Sequence, residues 1–374
     1  MKINVDRSGR IQGLETAIGL TLEEPDIKSL LIFSCDGNQF SPETVNPVLT
    51  RIGLPVFGGI FPAIIYAGEK LELGSLVVGF HTDVNVVIID GLSDVQADYV
   101  SQLDDNIKDL GNIKTVFSFV DGFSRRINAF VNSMFTVLGL ECNYLGGGAG
   151  SLSMMQKPCL FTNDGLVQDK AVLALLAIPS GVGVSHGWQS ISGPYRVTEA
   201  DHNLIRTLDW KPGFAVYQDA IMTHSKTRIT KDNFFDIAKS YPFGIAKLDS
   251  ERIVRDPVKV MDDGAIMCVG EVPEGSFVDI LHGNVQSLIK AAGRAGELSV
   301  ESYPGRSENA FRVFIDCISR VLFLGDRFEE EINAVWDRTQ VLFGACTIGE
   351  IANSGSGFLE FYNKTAVVGI LEAM

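Results

Sequence analysis

Three apolar runs, each closing on an acid, recur along the chain: residues 30–36 end at Asp36, 116–121 at Asp121 and 313–316 at Asp316. A helical pattern follows each run. In the first, Ser41 takes the N-cap and Pro42 the first helical position, with Val45, Val48, Leu49 and Ile52 on one face. Pro47 inside it predicts a kink or an early stop. The second places Ile127, Phe130, Val131, Met134 and Leu138 on one face and closes at Gly139. The third pairs Asp326 with Glu329 in capping-box spacing and buries Phe328, Ile332 and Val335. Glycine-rich stretches come next: Phe57-Gly58-Gly59, the run from Tyr144 through Gly146, Gly147 and Gly148 to Gly150, and Phe343-Gly344-Ala345. The first and third lead on to Gly68-Glu69 and Gly349-Glu350, and apolar runs at 75–80, 171–177 and 365–371 complete the copies.

One repeated supersecondary unit fixes most of a fold. The pattern predicts an α/β chain of mixed α+β character, with repeated strand-helix-strand-strand units, mixed β-sheets and helices packed outside. The sheets are mixed because each glycine turn lies too close to its following strand for a crossover helix. Asp36, Asp121 and Asp316 are expected at corresponding strand ends, and the glycines on turns beyond them. Between the second and third copies the texture changes to short strands at 182–188, 195–198, 204–208, 244–248, 258–261, 265–269 and 278–281, with Asp201-His202-Asn203 as a turn. A helix carries Phe214, Val216 and Tyr217, and another spans 285–295. Two domains are expected, 1–225 and 226–374, divided in the polar stretch near 220–240.

Hydrophobic content of 46% with 21% charged residues suits a packed core. The net charge of −15, without a basic cluster, argues against nucleic-acid or anionic-membrane partners. No apolar stretch reaches the roughly 18–20 residues that span a bilayer, and the first residues lack a signal-sequence pattern. Six cysteines without Cys-x-x-Cys spacing read as reduced, buried thiols of a cytoplasmic protein. No cofactor or metal site is expected. Asp36, Asp121 and Asp316 are better accounted for by turn formation or capping in each copy than by a shared cation, and Asp316 has Arg320 four residues on as a partner.

The carboxy-terminal strings VFIDCISRVLFLG, VLFGACTIGEIANSG and FLEFYNKTAVVGIL resemble the C-terminal portion of the FIST (F-box and intracellular signal transduction) sensory domain. Asp316, Cys317 and Arg320 match the family's Asp-Cys-x-x-Arg element; Gly344, Thr347, Gly349 and Glu350 match its Gly-x-x-Thr-x-Gly-Glu element. Asn363 and Thr365 match the third, where Tyr362 stands in place of the usual His. The stretch from His186-Gly187-Trp188 to Tyr217 is similar to the segment joining the family's halves, and the N-terminal half is similar more loosely; together the resemblance covers residues 25–372. It implies an intracellular sensor of small ligands, with amino acids the suggested class.

Glycines at strand ends expose backbone N–H groups that bind carboxylate or phosphate oxygens. Gly58, Gly59, Gly146, Gly147, Gly148 and Gly344 are candidates for such a cradle, with Cys346, Thr347 and Asn363 beside it and Glu350 for a ligand ammonium. The competing reading of the glycines is close strand–helix packing, and of Glu350 a helix cap or a pair with Arg320. The main pocket is expected between the two halves, bounded by at least two of the glycine turns. Two other functions stay open: an enzyme, hydrolase or transferase, using Cys346 or Glu350, with His186 and His202 as bases, and a protein-interaction scaffold without a small ligand. A separate signalling partner protein and a homodimer complete the expectations.

Overall fold

The computed structural model describes residues 1–108, 110–247, 252–306, 310–353 and 357–372. Three units build its body. In the first, the central strand Ser29–Cys35 leads through the helix Pro42–Leu49 to the parallel strand Val56–Phe61. The return strand Ser75–Phe80 then pairs antiparallel on the central strand's other side, and the leading strand Lys2–Asp6 lies outside it. The second unit repeats this with Thr115–Asp121, the helix Ile127–Leu138, Asn143–Ala149, the return strand Lys170–Leu176 and the leading strand Val84–Asp90. The third uses Ala310–Cys317, Leu342–Thr347, Ala366–Glu372 and Ser180–Ser185. The expected mixed sheets are present.

Local signals act as the pattern predicts in two of the three helices. Ser41 and Thr44 form a capping box at Pro42–Leu49, and the helix stops soon after Pro47. Gly139 closes Ile127–Leu138. The third differs: the chain first makes the helix Ile318–Leu324 and a 3-10 turn Gly325–Arg327, so Phe328–Val335 starts from Arg327 and not from an Asp326 capping box.

The glycines also differ from expectation. Gly58, Gly59, Gly146, Gly147, Gly148 and Gly344 lie inside strands, not on turns beyond them. Gly58 stands opposite Ile32, Gly146 opposite Ser118 and Gly344 opposite Phe314. A β-carbon at these positions would fall 2.0 Å from the Ile32 carbonyl oxygen, 1.9 Å from that of Ser118 and 1.8 Å from that of Phe314. One steric requirement thus recurs in all three units, and it is a packing requirement. The same alignment corrects the acids. Ser34, Val120 and Asp316 are equivalent in register, so Asp36, Asp121 and Asp316 fall on three successive positions. Each has its own partners: Asp36 holds Ser151 and Lys157 (both 2.6 Å), Asp121 accepts from Gln156 (2.7 Å), and Asp316 pairs with Arg320.

The units are interlocked by exchanged hairpins. The strand Ala63–Tyr66 of the first unit pairs with Leu342–Thr347 of the third. Leu160–Thr162 of the second meets Val56–Phe61 of the first, with Leu160 opposite Gly59. Glu350–Asn353 of the third meets Asn143–Ala149 of the second, with Glu350 opposite Gly147. Each sheet is therefore completed by another unit, in a closed cycle. Between the first two sheets the core is aromatic: Phe33 meets Phe119 edge-on (centroids 5.3 Å apart) and Phe57 meets Phe117 (6.1 Å).

The β-rich middle forms a closed barrel, inserted in the third unit between Ser180–Ser185 and the helix Val285–Ser302. Its long strand Gln189–Asp201 pairs with Phe277–His282 near its start and with Leu204–Leu208 near its end; Phe243–Ile245, Ile253–Val260 and Ile266–Val269 complete the circuit. Closure pairs the long strand Gln189–Asp201 on both of its halves, and the two-residue strand Lys211–Pro212 ends the sheet. Tyr217, on the helix Gly213–Ser225, is fully buried against Phe243 and Phe234. Residue 225, the expected domain junction, ends this helix within the excursion. Among the described residues, no helix is long and apolar enough to cross a membrane.

Replacing Gly58, Gly146 or Gly344 by Ala is expected to destabilise the chain by about 1–3 kcal/mol or more each, since the clash is with backbone. Gly53, with nothing within 4 Å of a built β-carbon, serves as the control, and its Ala variant should stay within about 0.5 kcal/mol of the parent. Denaturant midpoints of the four variants measure this.

Candidate functional site

Arg320 follows the central strand of the third unit and is fully buried. Its Nε lies 3.1 Å from Asp316 Oδ1. Nη1 donates to the carbonyls of His186 (2.7 Å) and Lys364 (3.2 Å), and Nη2 to that of Leu288 (3.0 Å) and to the Glu331 carboxylate. Glu350 completes the cluster: Thr347 Oγ1 donates to Oε1 (3.0 Å), the Thr365 N–H donates to Oε2 (3.3 Å), and Cys317 adds a side-chain hydrogen bond. Burial pushes the Asp316 carboxyl well up, helped by Glu331, and burial raises Glu350 to about 8. Burial thus favours the protonated form of Asp316 and of Glu350 beside this guanidinium. Next to them, Lys364 pairs with Asp256 at 3.1 Å, donates to the Lys239 carbonyl and lies over the Trp188 ring. Arg255 Nη1 reaches Asn363 Oδ1 at 3.4 Å.

The residues expected from sequence are thus partly gathered. Thr347 and Glu350 lie against Gly147, and Gly148 hydrogen-bonds with Ile348 and Gly349 so closely that a β-carbon on it would fall 2.2 Å from the Ile348 oxygen. Asn363 borders the same cluster through Gly349. Gly344 and Cys346 lie on the neighbouring strand, where Cys346 stands opposite Asp316 and burial pushes its thiol well up. Gly58 and Gly59 belong to the first sheet, where Gly59 packs on Ala149 and the Cys159 carbonyl. All ten expected residues are buried. Glu331, Asp256, Arg255 and Lys364 were not singled out from sequence; Lys364 had a signal, its place between Asn363 and Thr365.

A cavity of about 590 Å³ opens above this layer, between the second unit and the barrel. None of the three glycine stretches lines it; those glycines are consumed by strand packing. The floor instead includes Gly122 and Phe123, and Gly122 packs on Gly148 and Ile348. One wall is the start of the helix Ile127–Leu138, which has no side-chain cap and no acid in its first turn. Arg125 is exposed there, while Arg126 donates to the Asp94 carbonyl (2.6 Å) and stacks on Tyr99. The opposite wall is the barrel turn Gly270-Glu271, with the Glu271 carboxylate 3.9 Å from the His202 ring. Phe361, from the third unit's hairpin, borders both. Ser93 and Ser124 also line the cavity, and both donate to Asp169 (2.6 and 2.9 Å).

The buried acids make stability depend on pH. Folded Glu350, at about 8, holds a proton that the unfolded chain releases from 4.5 upward, so its contribution falls as pH rises through that window. Asp316 acts in the same sense. His186 is lowered by burial to about 3, so its contribution is complete above its ordinary 6.5 and is lost as pH falls. Between pH 6.5 and 8 urea-unfolding stability should therefore decline, and the decline should be shallower in Glu350→Gln. Parallel slopes would remove Glu350 from this role.

Family models match nearly end to end across this architecture: the FIST N domain over residues 29–211 and the FIST C domain over 213–353. A search of curated proteins gives no match. FIST domains are associated with sensing in signal transduction. The family elements noted in sequence, from Asp316 and Arg320 to Glu350 and Asn363, form the buried joint under the cavity. With both portions matched in order, the chain belongs to the FIST family.

Proposed function

We propose that this chain is a signal-transduction sensor that binds a small zwitterionic metabolite, an amino acid, in the cavity between the second unit and the barrel. One observation carries the reading: an uncapped helix start with Arg125, and a carboxylate, Glu271, line the same cavity. The N–H groups of a helix start together with a guanidinium suit a ligand carboxylate, and Glu271 suits its ammonium. Phe123, Phe361 and Val269 offer apolar surface to a side chain. The volume lies in the range of small-molecule sites, roughly 300–1,000 Å³.

In this reading Glu350, Thr347, Asn363 and the glycines support the floor, and Glu271 takes the ammonium role assigned to Glu350 from sequence. Six free, buried cysteines suit a reducing cytoplasm. A separate partner protein would receive the signal. The burial of Cys346, with its thiol pushed well up, favours binding over cysteine catalysis.

Thermal shift against the twenty standard amino acids should find at least one that raises the melting temperature with concentration. Calorimetry on that ligand should show Glu271→Gln and Arg125→Ala each weakening binding by about 1.5–3 kcal/mol, the scale of a hydrogen bond to a charged group. If no amino acid stabilises the chain, or if the affinity ignores both substitutions, the reading fails.

A further inference from the structure

Arg255 lies on the barrel strand Ile253–Val260 and is 3% exposed. Its Nε donates to the Glu271 carbonyl at 2.8 Å. Its Nη1 donates to the carbonyl of Phe361 at 3.0 Å, to that of Val254 at 3.1 Å and to Asn363 Oδ1 at 3.4 Å. Gly270 packs directly on this group: a β-carbon there would fall 3.0 Å from Nε and 3.1 Å from Asn363 Oδ1. Among the described residues no carboxylate forms an ion pair with Arg255. Burial pushes its guanidinium down to about 10, so it is charged at neutral pH. Its hydrogen bonds among the described residues go to neutral acceptors, with the Glu360 and Glu271 charges favouring its charged form from farther off; a cation buried in this way is costly to keep, and an apolar side chain of similar size would often stabilise such a position better.

The two carbonyls it holds belong to different parts of the fold. Glu271 is on the barrel and Phe361 on the hairpin of the third unit, and both residues line the cavity. We propose that Arg255 is the positioning residue of this site, fixing the Glu271 wall against the Phe361 wall through one rigid guanidinium fork. Lysine cannot replace it, because a single ammonium lacks the planar fork that reaches separated acceptors together. The neighbouring pair Asp256–Lys364 seats the same strand on the turn that follows Leu359–Tyr362 but leaves the Glu271 carbonyl to Arg255. The geometric part of this proposal stands on the contacts alone; its consequence for affinity rests on the amino-acid reading above.

Hydrogen exchange and calorimetry on the full chain test it, with Arg255→Met and Arg255→Lys. The Val272 amide, which donates to the His202 carbonyl at 3.0 Å, and the amides of the hairpin strand Leu359–Tyr362 that pair with Glu350–Asn353 should exchange at least tenfold faster in both variants. Amides of the central strand Ser29–Cys35 should be unchanged, which a general loss of stability would not allow. Binding of the amino acids that shift the wild type should weaken at least tenfold. Unchanged exchange, or a uniform rise across the chain, overturns the proposal, as does full rescue by Lys. If no amino acid binds the wild type while the local loosening occurs, the ligand reading falls and the positioning role stands. If an amino acid binds the wild type and Arg255→Met equally, the positioning role falls and the ligand reading stands.

Discussion

The guanidinium of Arg320 is the interaction on which the rest of the molecule turns. It is fully buried, and it gathers an acid from the strand that precedes it, an acid from the helix Phe328–Val335 and three backbone carbonyls from separate segments. Desolvating such a charge is expensive, and removing one member of a buried pair typically costs about 3–5 kcal/mol because the partner is left uncompensated. The guanidinium therefore admits few alternative arrangements of the elements around it. His186 leads into the barrel and Lys364 ends the exchanged hairpin, so one side chain fixes where both the excursion and the hairpin leave the body.

The cyclic exchange of hairpins adds a second constraint of a different kind. A sheet completed by another unit has no independent boundary, so none of the three units is finished alone. The glycines are what make the exchange sterically feasible. Each lets its strand close on the central strand's carbonyl, and on its other side the strand meets a hairpin from elsewhere in the chain. At the second unit this approach is closest, where a β-carbon on Gly148 would fall 2.2 Å from the Ile348 oxygen and one on Gly147 2.5 Å from that of Gly349.

These two constraints place the cavity. It lies where the second unit, the barrel and the third unit's hairpin converge, directly over the layer that Arg320, Glu350 and Arg255 organise. A ligand there would touch parts of the fold that are joined by buried polar contacts as well as by the apolar core that runs from the second unit into the barrel. Such joints have discrete arrangements rather than gradual ones, which suits a protein that reports occupancy.

The sequence by itself determined the repeating unit, its strand and helix types, and the family elements. Apolar runs, caps such as Ser41-Pro42 and the stop at Gly139 are local signals, read within a few residues of where they act. It also offered Arg320, four residues on, as a partner for Asp316, and the two meet where the strand Ala310–Cys317 passes into the helix Ile318–Leu324. The sequence did not reveal which strand each hairpin would join, since exchange depends on contacts hundreds of residues apart, as between Tyr144 and Asn353. Nor did it separate glycines that bind from glycines that pack. The distinction depends on what lies across the strand, and that is the Ile32, Ser118 or Phe314 carbonyl. Arg125, Glu271 and Arg255 carried no local signal, being ordinary charges in a loop, a turn and a strand. Only the tertiary structure decided that two of them share one cavity and that the third is buried behind it, because burial and convergence are properties of the assembled chain.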